Sequence, residues 1–318
     1  MLYKIKNILL LAVLFLTAAV SHAQLTLERD TVSFQKDKLG NSFMHIKIPS
    51  RPLHYFVYKF KMSKQNKLTA VFANEHIPDL KRNAIDNVAK RESRSGNEVI
   101  AAINGDFFSY KNGEVEGFQI IDKEVVYAHS GKTKYGINID KRNRISLDSV
   151  YFEGSIFSEN KSYSINAVNS LKYKDSTHCN LVFNHYANFN DFKPEKHKLV
   201  LIEKTGKKYR FKSILTAVPE KINENQYLLA LNPEKVEAII NHLKKSKFKV
   251  ELALKDKQTH KSLDVLYHIS GGVPLVIDGK EALSSDETGS YRGKKHPRTA
   301  LGIDTKTQTA MLLVVDGR

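Results

Sequence analysis

The chain has 318 residues, 41% hydrophobic and 26% charged, which fits one or two globular domains and excludes the composition of a disordered protein. Lysine and arginine outnumber the acids 50 to 34, giving a net charge of +16 that favours anionic partners without choosing among them. The single cysteine, Cys179, excludes a disulfide within the chain and a cysteine-rich metal cluster.

The N-terminus has the pattern of a secretory signal peptide, which we assign to residues 1–23. Lys4 and Lys6 precede an apolar run, and Ser21-His22-Ala23 supplies the small residues of a cleavage site. The run is shorter than the roughly 20 residues that a membrane-spanning helix needs. We therefore predict cleavage after Ala23, a secreted or periplasmic mature chain, and no stable membrane span.

The mature chain divides by composition. Residues 24–62 form a leading segment with a strand-like run, Phe43–Ile48, and they carry no functional signal. The main domain is expected over residues 63–318. Within it, residues 143–260 are more polar and richer in lysine than their flanks, which indicates a strand-rich inserted subdomain.

Two segments have helical periodicity. The first begins at Asp79, which can cap a helix that runs to about Arg94, with Gly96 just past its end. Its apolar face comprises Leu80, Ala84, Ile85, Val88 and Ala89. The second is capped by Asn232 and has Pro233 at its first helical position. Its apolar face comprises Val236, Ile239, Ile240 and Leu243.

Strand signals surround these helices. Val99–Ile103 is an apolar run typical of a buried strand, and apolar and polar residues alternate over Phe248–Leu254. Three hairpins are predicted, with turns at Asp122-Lys123, at Asp278-Gly279 and over 304–308. Because strands and helices do not alternate along the chain, we predict an α+β fold with a mixed, mainly antiparallel sheet and a few packed helices.

The first candidate motif, Asn104-Gly105-Asp106-Phe107-Phe108, follows the apolar run that ends at Ile103. It offers an amide, a glycine that permits close backbone approach and a carboxylate, a combination that suits a site mounted at the end of a strand. Asn-Gly is also a common tight turn, so residue types alone leave both interpretations open.

The second candidate motif is Ser270-Gly271-Gly272-Val273-Pro274-Leu275. Successive glycine amides can bind an anion, although a glycine pair is often only a bend. The motif is neither a P-loop nor a dinucleotide-binding fingerprint.

The third candidate motif, His296-Pro297-Arg298-Thr299, combines a fixed backbone direction with a planar guanidinium and two further donors, which suits a phosphate. A solvated basic loop has the same residue types. No second histidine or cysteine stands at ligand spacing from His296, so we assign no metal ligand and no cofactor, and the sequence leaves any metal requirement open. Asp316 and Arg318 follow an apolar run, either as site residues or as a surface ion pair.

Taken in order, the three motifs and the final Val314-Val315-Asp316-Gly317-Arg318 resemble the phosphodiester glycosidase family, from about Val99 to the last residue. The most specific part is Pro-Arg-Thr-Ala followed by Asp-Gly-Arg. The family includes the lysosomal uncovering enzyme, which removes N-acetylglucosamine from a sugar phosphodiester, and exported bacterial proteins often linked to exopolysaccharides.

The resemblance implies hydrolysis of a sugar-1-phosphodiester in a phosphorylated glycan or polysaccharide. It implies that Arg298 binds the phosphoryl oxygens, and that Asp106 or Asp316 activates water or stabilises an oxocarbenium-like centre. The assisting residues that it implies are His296, Thr299, Gly271 and Gly272 for the phosphate, and Asn104, Gly105 and Arg318 for orienting the substrate.

One departure from the family leaves a second function open. The family domain continues beyond Asp-Gly-Arg to a helix and a segment with Asp-Gly-Gly-Gly-Ser, which this sequence does not contain, so we expect the C-terminal part of the domain to be missing. The alternative function is a non-catalytic exported protein that binds anionic polysaccharide, and a third is a structural envelope component. No nucleic-acid-binding motif is present, and the sequence leaves the oligomeric state open.

Overall fold

A computed structural model describes residues 29–74, 79, 83–173, 179–189, 192, 194–234, 236–282 and 296–316. The predicted signal peptide lies outside the described residues, as do part of the first predicted helix, the basic residues that precede His296, and the terminal Gly317 and Arg318.

A five-stranded antiparallel sheet joins the two ends of the described chain. Its strands are β1 (Asp30–Lys36), β2 (Ser42–Ile48), β3 (Leu53–Lys61), β18 (Arg298–Asp304) and β19 (Thr309–Asp316), in the order β1-β2-β3-β19-β18. The run Phe43–Ile48 is a strand, as predicted, and it pairs with β3. The leading segment therefore shares a sheet with the strands that follow the third motif.

A twelve-stranded sheet forms the larger part of the molecule. Its strands are β4 (Gln119–Ile121), β5 (Glu124–His129), β6 (Thr133–Ile139), β7 (Ile145–Ser158), β8 (Lys161–Ile165), β9 (Ala167–Val168), β10 (Leu181–Phe183), β11 (Lys198–Thr205), β12 (Lys208–Leu215), β13 (Gln226–Leu231), β14 (Lys249–Asp256) and β15 (Tyr267–Ser270). The order is β12-β11-β13-β10-β9-β5-β4-β15-β6-β7-β14, with β8 beside β7. Strands of residues 143–260 thus continue the same sheet on both sides of β4, β5, β15 and β6.

The twelve-stranded sheet curls until its two end strands meet. Tyr209 in β12 and Phe248 beside β14 exchange backbone hydrogen bonds of 2.8 and 3.1 Å. This contact protects edges that would otherwise be open to pairing with another chain. The curled sheet encloses the largest apolar core, which also receives the helix α2 (Val236–Lys245).

Helix α2 confirms the second helical prediction. The helix begins later than predicted, at Val236, so Asn232 and Pro233 do not occupy its cap and first helical positions. The Asn232 side chain accepts a hydrogen bond from the Glu234 amide at 2.9 Å in the turn that precedes the helix. The four residues predicted for its apolar face are the buried ones, namely Val236, Ile239, Ile240 and Leu243. The amphipathic period therefore identified both the helix and the face that it buries.

The first predicted helix is shorter than the sequence pattern indicated. Helix α1 covers Ile85–Glu92, with the extended Ala84 at its start and no side-chain cap. None of its residues is buried, so the expected apolar face does not reach a core. Gly96 has a positive φ of 77°, but it lies in the turn from Arg94 to Asn97 and not at the helix end.

Val99–Ile103 is not a strand, and that prediction was wrong. Ala101 and Ile103 pack against the core between the two sheets, whereas the side chain of Ile100 is 57% exposed. The run therefore buries only alternate side chains, and its backbone pairs with no strand among the described residues. Five apolar residues in a row indicated burial on both faces, which this one-sided packing does not provide.

The fold is mostly β, which corrects the balance of the predicted α+β class. Only α1, α2 and a single 3-10 turn at Pro194–Lys196 are helical among the described residues. The mainly antiparallel pairing is confirmed, because β9 and β10 form the one parallel pair among the described strands. All three predicted hairpins are present, the second as the short pair β16 (Val276–Ile277) and β17 (Lys280–Glu281).

Candidate active site

The three motifs identified in the sequence lie close together. The Thr299 hydroxyl at the start of β18 donates a hydrogen bond to the Asn104 carbonyl oxygen at 3.4 Å. Gly105 lies against Ile269 in β15, since a β-carbon built on this glycine would be 3.5 Å from the Ile269 side chain. A β-carbon on Gly272 would likewise be 3.4 Å from the Phe107 ring. The first motif is thus held between the second and the third.

Asp106 has the most unusual environment in this group. Its Oδ1 accepts a hydrogen bond from the Phe107 amide at 2.8 Å, whereas its buried Oδ2 lies against the Gly117 backbone without a hydrogen bond of normal geometry among the described residues. Burial raises the pKa of this carboxyl to about 7, because the Phe107 and Gly117 amides and the Lys134 ammonium only partly offset the loss of water. The proton of Asp106 is therefore exchangeable near neutral pH, as an acid–base catalyst requires.

Gly117 provides the surface on which the Asp106 carboxyl rests. A β-carbon at this position would collide with Asp106 Oδ2 and with the Ser270 β-carbon, and it would be 3.0 Å from Ser270 Oγ. Only glycine permits this approach, so the backbone before β4 shapes the site directly.

The polar side chains behind Ser270 belong to none of the three motifs, apart from Ser270 itself. The Ser270 hydroxyl is 3.1 Å from His268 Nε2, and His268 Nδ1 is 2.7 Å from Asn138 Oδ1. All three residues are buried. The signal that could have identified them is the two-residue spacing of His268 and Ser270 within an otherwise apolar strand, which puts both on one face.

The glycine pair is only partly available as an anion site. The Gly271 amide donates to the Tyr135 carbonyl oxygen at 3.0 Å, as an extension of the β15–β6 pairing. The phosphate donor predicted at Gly271 is therefore occupied, which corrects that assignment. Gly272 is the remaining amide of the pair, and the Phe107 ring lies beside it.

The third motif begins β18 and spreads over two faces of its sheet. Thr299 pairs with Val314, and Arg298 pairs with Val315, so their side chains leave the strand on opposite faces. The half-buried Arg298 donates from Nη1 to the Pro297 carbonyl oxygen at 3.0 Å, and His296 is exposed. Because β18 is the outer strand of this sheet, Arg298 lies in an edge strand.

Asp316 is the last residue of β19, and the pairing of β19 with β3 places a histidine beside it. It is exposed, and it lies opposite His54 in the β19–β3 pairing, on the sheet face that also carries Thr299. His54 Nδ1 is 2.8 Å from His45 Nε2 in β2. The sequence analysis did not select these histidines, although they alternate with apolar residues in strands. Arg318 lies outside the described residues.

Two general properties complete the description. Within the described part of the chain, no group of three or more His, Cys, Asp or Glu side chains is arranged to hold a metal ion. Over the same residues, no helix has the length and apolar character needed to cross a bilayer.

Comparison with known proteins gives one family and one fold. Among solved structures, the chain is similar to a Burkholderia pseudomallei K96243 protein that is described as an exported protein, with 11% identity and a TM-score of 0.51. That alignment covers 88% of this chain but 62% of the other, and at this identity it shows the fold alone. A search of curated proteins finds no match.

The family result concerns the C-terminal part of the chain. The matched span includes the second and third motifs and Asp316, but it does not include Asn104–Phe108. The contacts of Asn104 and Gly105 with Thr299 and Ile269 connect the unmatched motif to the matched span. Residues 203–318 match the phosphodiester glycosidase family model, which confirms the family resemblance.

Proposed function

We propose that this protein is an exported hydrolase that cleaves a sugar-1-phosphodiester linkage in a phosphorylated glycan or exopolysaccharide. The family match over residues 203–318 supports a phosphodiester glycosidase type of activity. The observation that carries the proposal for this chain is the buried Asp106 carboxyl, which lies in the motif whose Asn104 carbonyl contacts Thr299. A carboxyl that exchanges its proton near pH 7 is useful to a reaction that develops charge on a leaving phosphate.

The proposed reaction breaks the bond between the anomeric carbon and the phosphate oxygen. Water adds to the anomeric carbon, and the phosphate leaves as a monoester. Such a leaving group is weakly basic, so stabilising its charge matters more than complete proton transfer. Protonated Asp106 can donate a hydrogen bond to the departing oxygen through Oδ1, whose hydrogen bond with the Phe107 amide is exposed, and this role uses its raised pKa directly.

The remaining roles follow from position and residue type. We assign Arg298 at the sheet edge to the phosphoryl oxygens, assisted by His296, Thr299 and the Gly272 amide. Asp316 is exposed where water can reach it, so we assign it to water activation or to the oxocarbenium-like centre. Asn104 and Gly105 orient the sugar, and Arg318 remains a proposed substrate contact.

The test is hydrolysis of a panel of synthetic sugar-1-phosphodiesters followed by ³¹P NMR. The proposal expects conversion of diester to monoester by the wild type, and losses of at least about tenfold in Arg298→Ala and Asp316→Asn. Asp278→Asn, in the exposed β16–β17 turn, is the matched control and is expected to retain the wild-type rate. Binding of an anionic polysaccharide without any turnover would replace the hydrolase by the non-catalytic binding function, for which the net charge of +16 is the supporting observation.

A further inference from the structure

The polar chain behind Asp106 crosses three neighbouring strands. Asn138 in β6 lies opposite His268 in β15, and it also lies opposite Ser146 in β7. The Asn138 amide group donates to Asp148 Oδ2 at 2.6 Å. This series of hydrogen-bonded side chains ends at Ser270. The Ser270 β-carbon and Asp106 Oδ2 both lie against Gly117. A continuous line of polar contacts thus runs from Asp148 to Ser270, and only the Gly117 surface that Ser270 shares with Asp106 links it to the candidate catalytic carboxyl.

The hydrogen bonds determine which nitrogen of His268 carries the proton. Because the Asn138 amide nitrogen is committed to Asp148, the Asn138 oxygen is the atom that faces His268 Nδ1. An oxygen can only accept, so Nδ1 must donate. Burial lowers the pKa of His268 to about 3, so its ring is neutral and Nε2 carries a lone pair.

This tautomer also determines the direction of the Ser270 hydroxyl. Nε2 can only accept, so the Ser270 O–H points to His268. The Ser270 oxygen in turn accepts a hydrogen bond from the Phe118 amide at 3.0 Å. The Ser270 hydroxyl lies against the same Gly117 surface as Asp106 Oδ2, but it is committed to His268, and Oδ2 has no hydrogen-bond partner among the described residues.

We propose that Asn138, His268 and Ser270 act as positioning residues that keep the Ser270 hydroxyl turned away from Asp106, so that this carboxyl remains a proton donor. A hydroxyl that donated to Oδ2 would favour the charged carboxylate and remove the acid. The inference rests on the proposed role of Asp106 in the reaction. Ser270 itself is buried beneath Gly117, so it does not contact the substrate.

This hydrogen-bonded relay of Asn138, His268 and Ser270 predicts how the pKa of Asp106 changes in variants of the three residues. The pKa can be measured without any substrate. His268→Phe keeps the ring but removes the acceptor, so it releases the Ser270 hydroxyl and lowers the pKa of Asp106 by about one unit or more. Ser270→Ala removes the hydroxyl and leaves that pKa within a few tenths of the wild type. The double variant returns the pKa toward the wild-type value, because the released group is no longer present.

The measurement is a pH titration of the Asp106 carboxyl by ¹³C NMR on the full mature chain, assigned with Asp106→Asn, with folding checked by circular dichroism. Asn138→Leu provides a second route if His268→Phe does not fold. It removes the acceptor for Nδ1, which lets the proton move to Nε2 and frees the same hydroxyl, so it is also expected to lower the pKa.

The proposal is overturned if a folded His268→Phe or Asn138→Leu variant leaves the Asp106 pKa unchanged, or if Ser270→Ala shifts it as much as they do. These results do not depend on turnover. The expected pattern together with no hydrolysis of any sugar-1-phosphodiester would confirm the relay and reject the proposed function. Hydrolysis of a sugar-1-phosphodiester together with an unchanged Asp106 pKa in the variants would support the proposed function and reject the relay.

Discussion

The Thr299 hydroxyl and the Asn104 carbonyl oxygen are 3.4 Å apart, although 195 positions separate them in the sequence. This contact joins the outer strand of the five-stranded sheet to the turn that carries Asp106. The turn otherwise rests on β15 of the twelve-stranded sheet and on Gly117, which lies just before β4. The candidate active site is therefore assembled where the two sheets meet, and its geometry depends on both.

Thr299→Val tests that connection. The hydrogen bond is long and exposed, so its loss is expected to lower the free energy of unfolding by less than about 1 kcal/mol. Because Thr299 is also assigned to the phosphate, hydrolysis is expected to fall by about tenfold. Thr299→Ser retains the hydroxyl and is the control, so an equal loss of activity in both variants would contradict the assignment. Urea denaturation and steady-state rates provide the two measurements.

Gly117→Ala tests the close packing beneath Asp106. The added methyl would collide with the Asp106 carboxyl and the Ser270 β-carbon, and overpacking of this kind typically costs about 1–3 kcal/mol. Gly271→Ala is the matched control, because a β-carbon there meets nothing within 4 Å. The free energy of unfolding should therefore fall in the first variant and change by less than about 1 kcal/mol in the second. Equal values for the two variants would refute the described packing.

Asp106→Asn tests the raised pKa through stability. The folded chain holds the Asp106 proton up to about pH 7, whereas the unfolded chain releases it near 3.8. Protonation therefore favours the folded state at low pH, and this contribution is lost as pH rises through 7. Relative to the wild type, the asparagine variant should gain roughly 2–4 kcal/mol of unfolding free energy between pH 4 and pH 8, at about 1.4 kcal/mol per unit. Asp278→Asn should show no such pH-dependent difference, and a constant offset for Asp106→Asn would contradict the prediction.

Arg298→Lys and Arg298→Ala distinguish a planar phosphate contact from simple positive charge. A guanidinium can hold two phosphoryl oxygens, whereas an ammonium binds as a point charge. We expect kcat/KM to fall by about tenfold in the lysine variant and by about a hundredfold or more in the alanine variant. Lys134→Ala is the control for the general positive field near Asp106. If lysine restores the full rate, the residue contributes charge alone.

Local sequence signals predicted much of the fold. Asp122 and Lys123 both have positive φ, and Asp278 and Gly279 do as well, so the two-residue hairpins were readable from turn chemistry. Helix α2 was readable from its apolar period, although it begins later than the predicted cap indicated. The closure of the large sheet through Tyr209 and Phe248 was not, since it depends on contacts between residues distant in sequence.

The site was predicted in part for the same reason. The three motifs were recognised by residue type, and their order indicated the family. The sequence could not indicate that the Gly271 amide donates a hydrogen bond to the Tyr135 carbonyl oxygen. It also could not indicate that the side chains of Arg298 and Thr299 lie on opposite faces of β18. Both follow from strand register. The orientation of the Ser270 hydroxyl depends on His268 and Asn138, which no local motif connects.

The most direct test of the central claim is hydrolysis of a sugar-1-phosphodiester in ¹⁸O-labelled water, with mass spectrometry of both products. Cleavage between the anomeric carbon and the phosphate oxygen predicts that the label enters the released sugar and that the phosphate monoester is unlabelled. Label in the phosphate would instead show attack at phosphorus. That result, or the absence of turnover for every diester tested, would contradict the account.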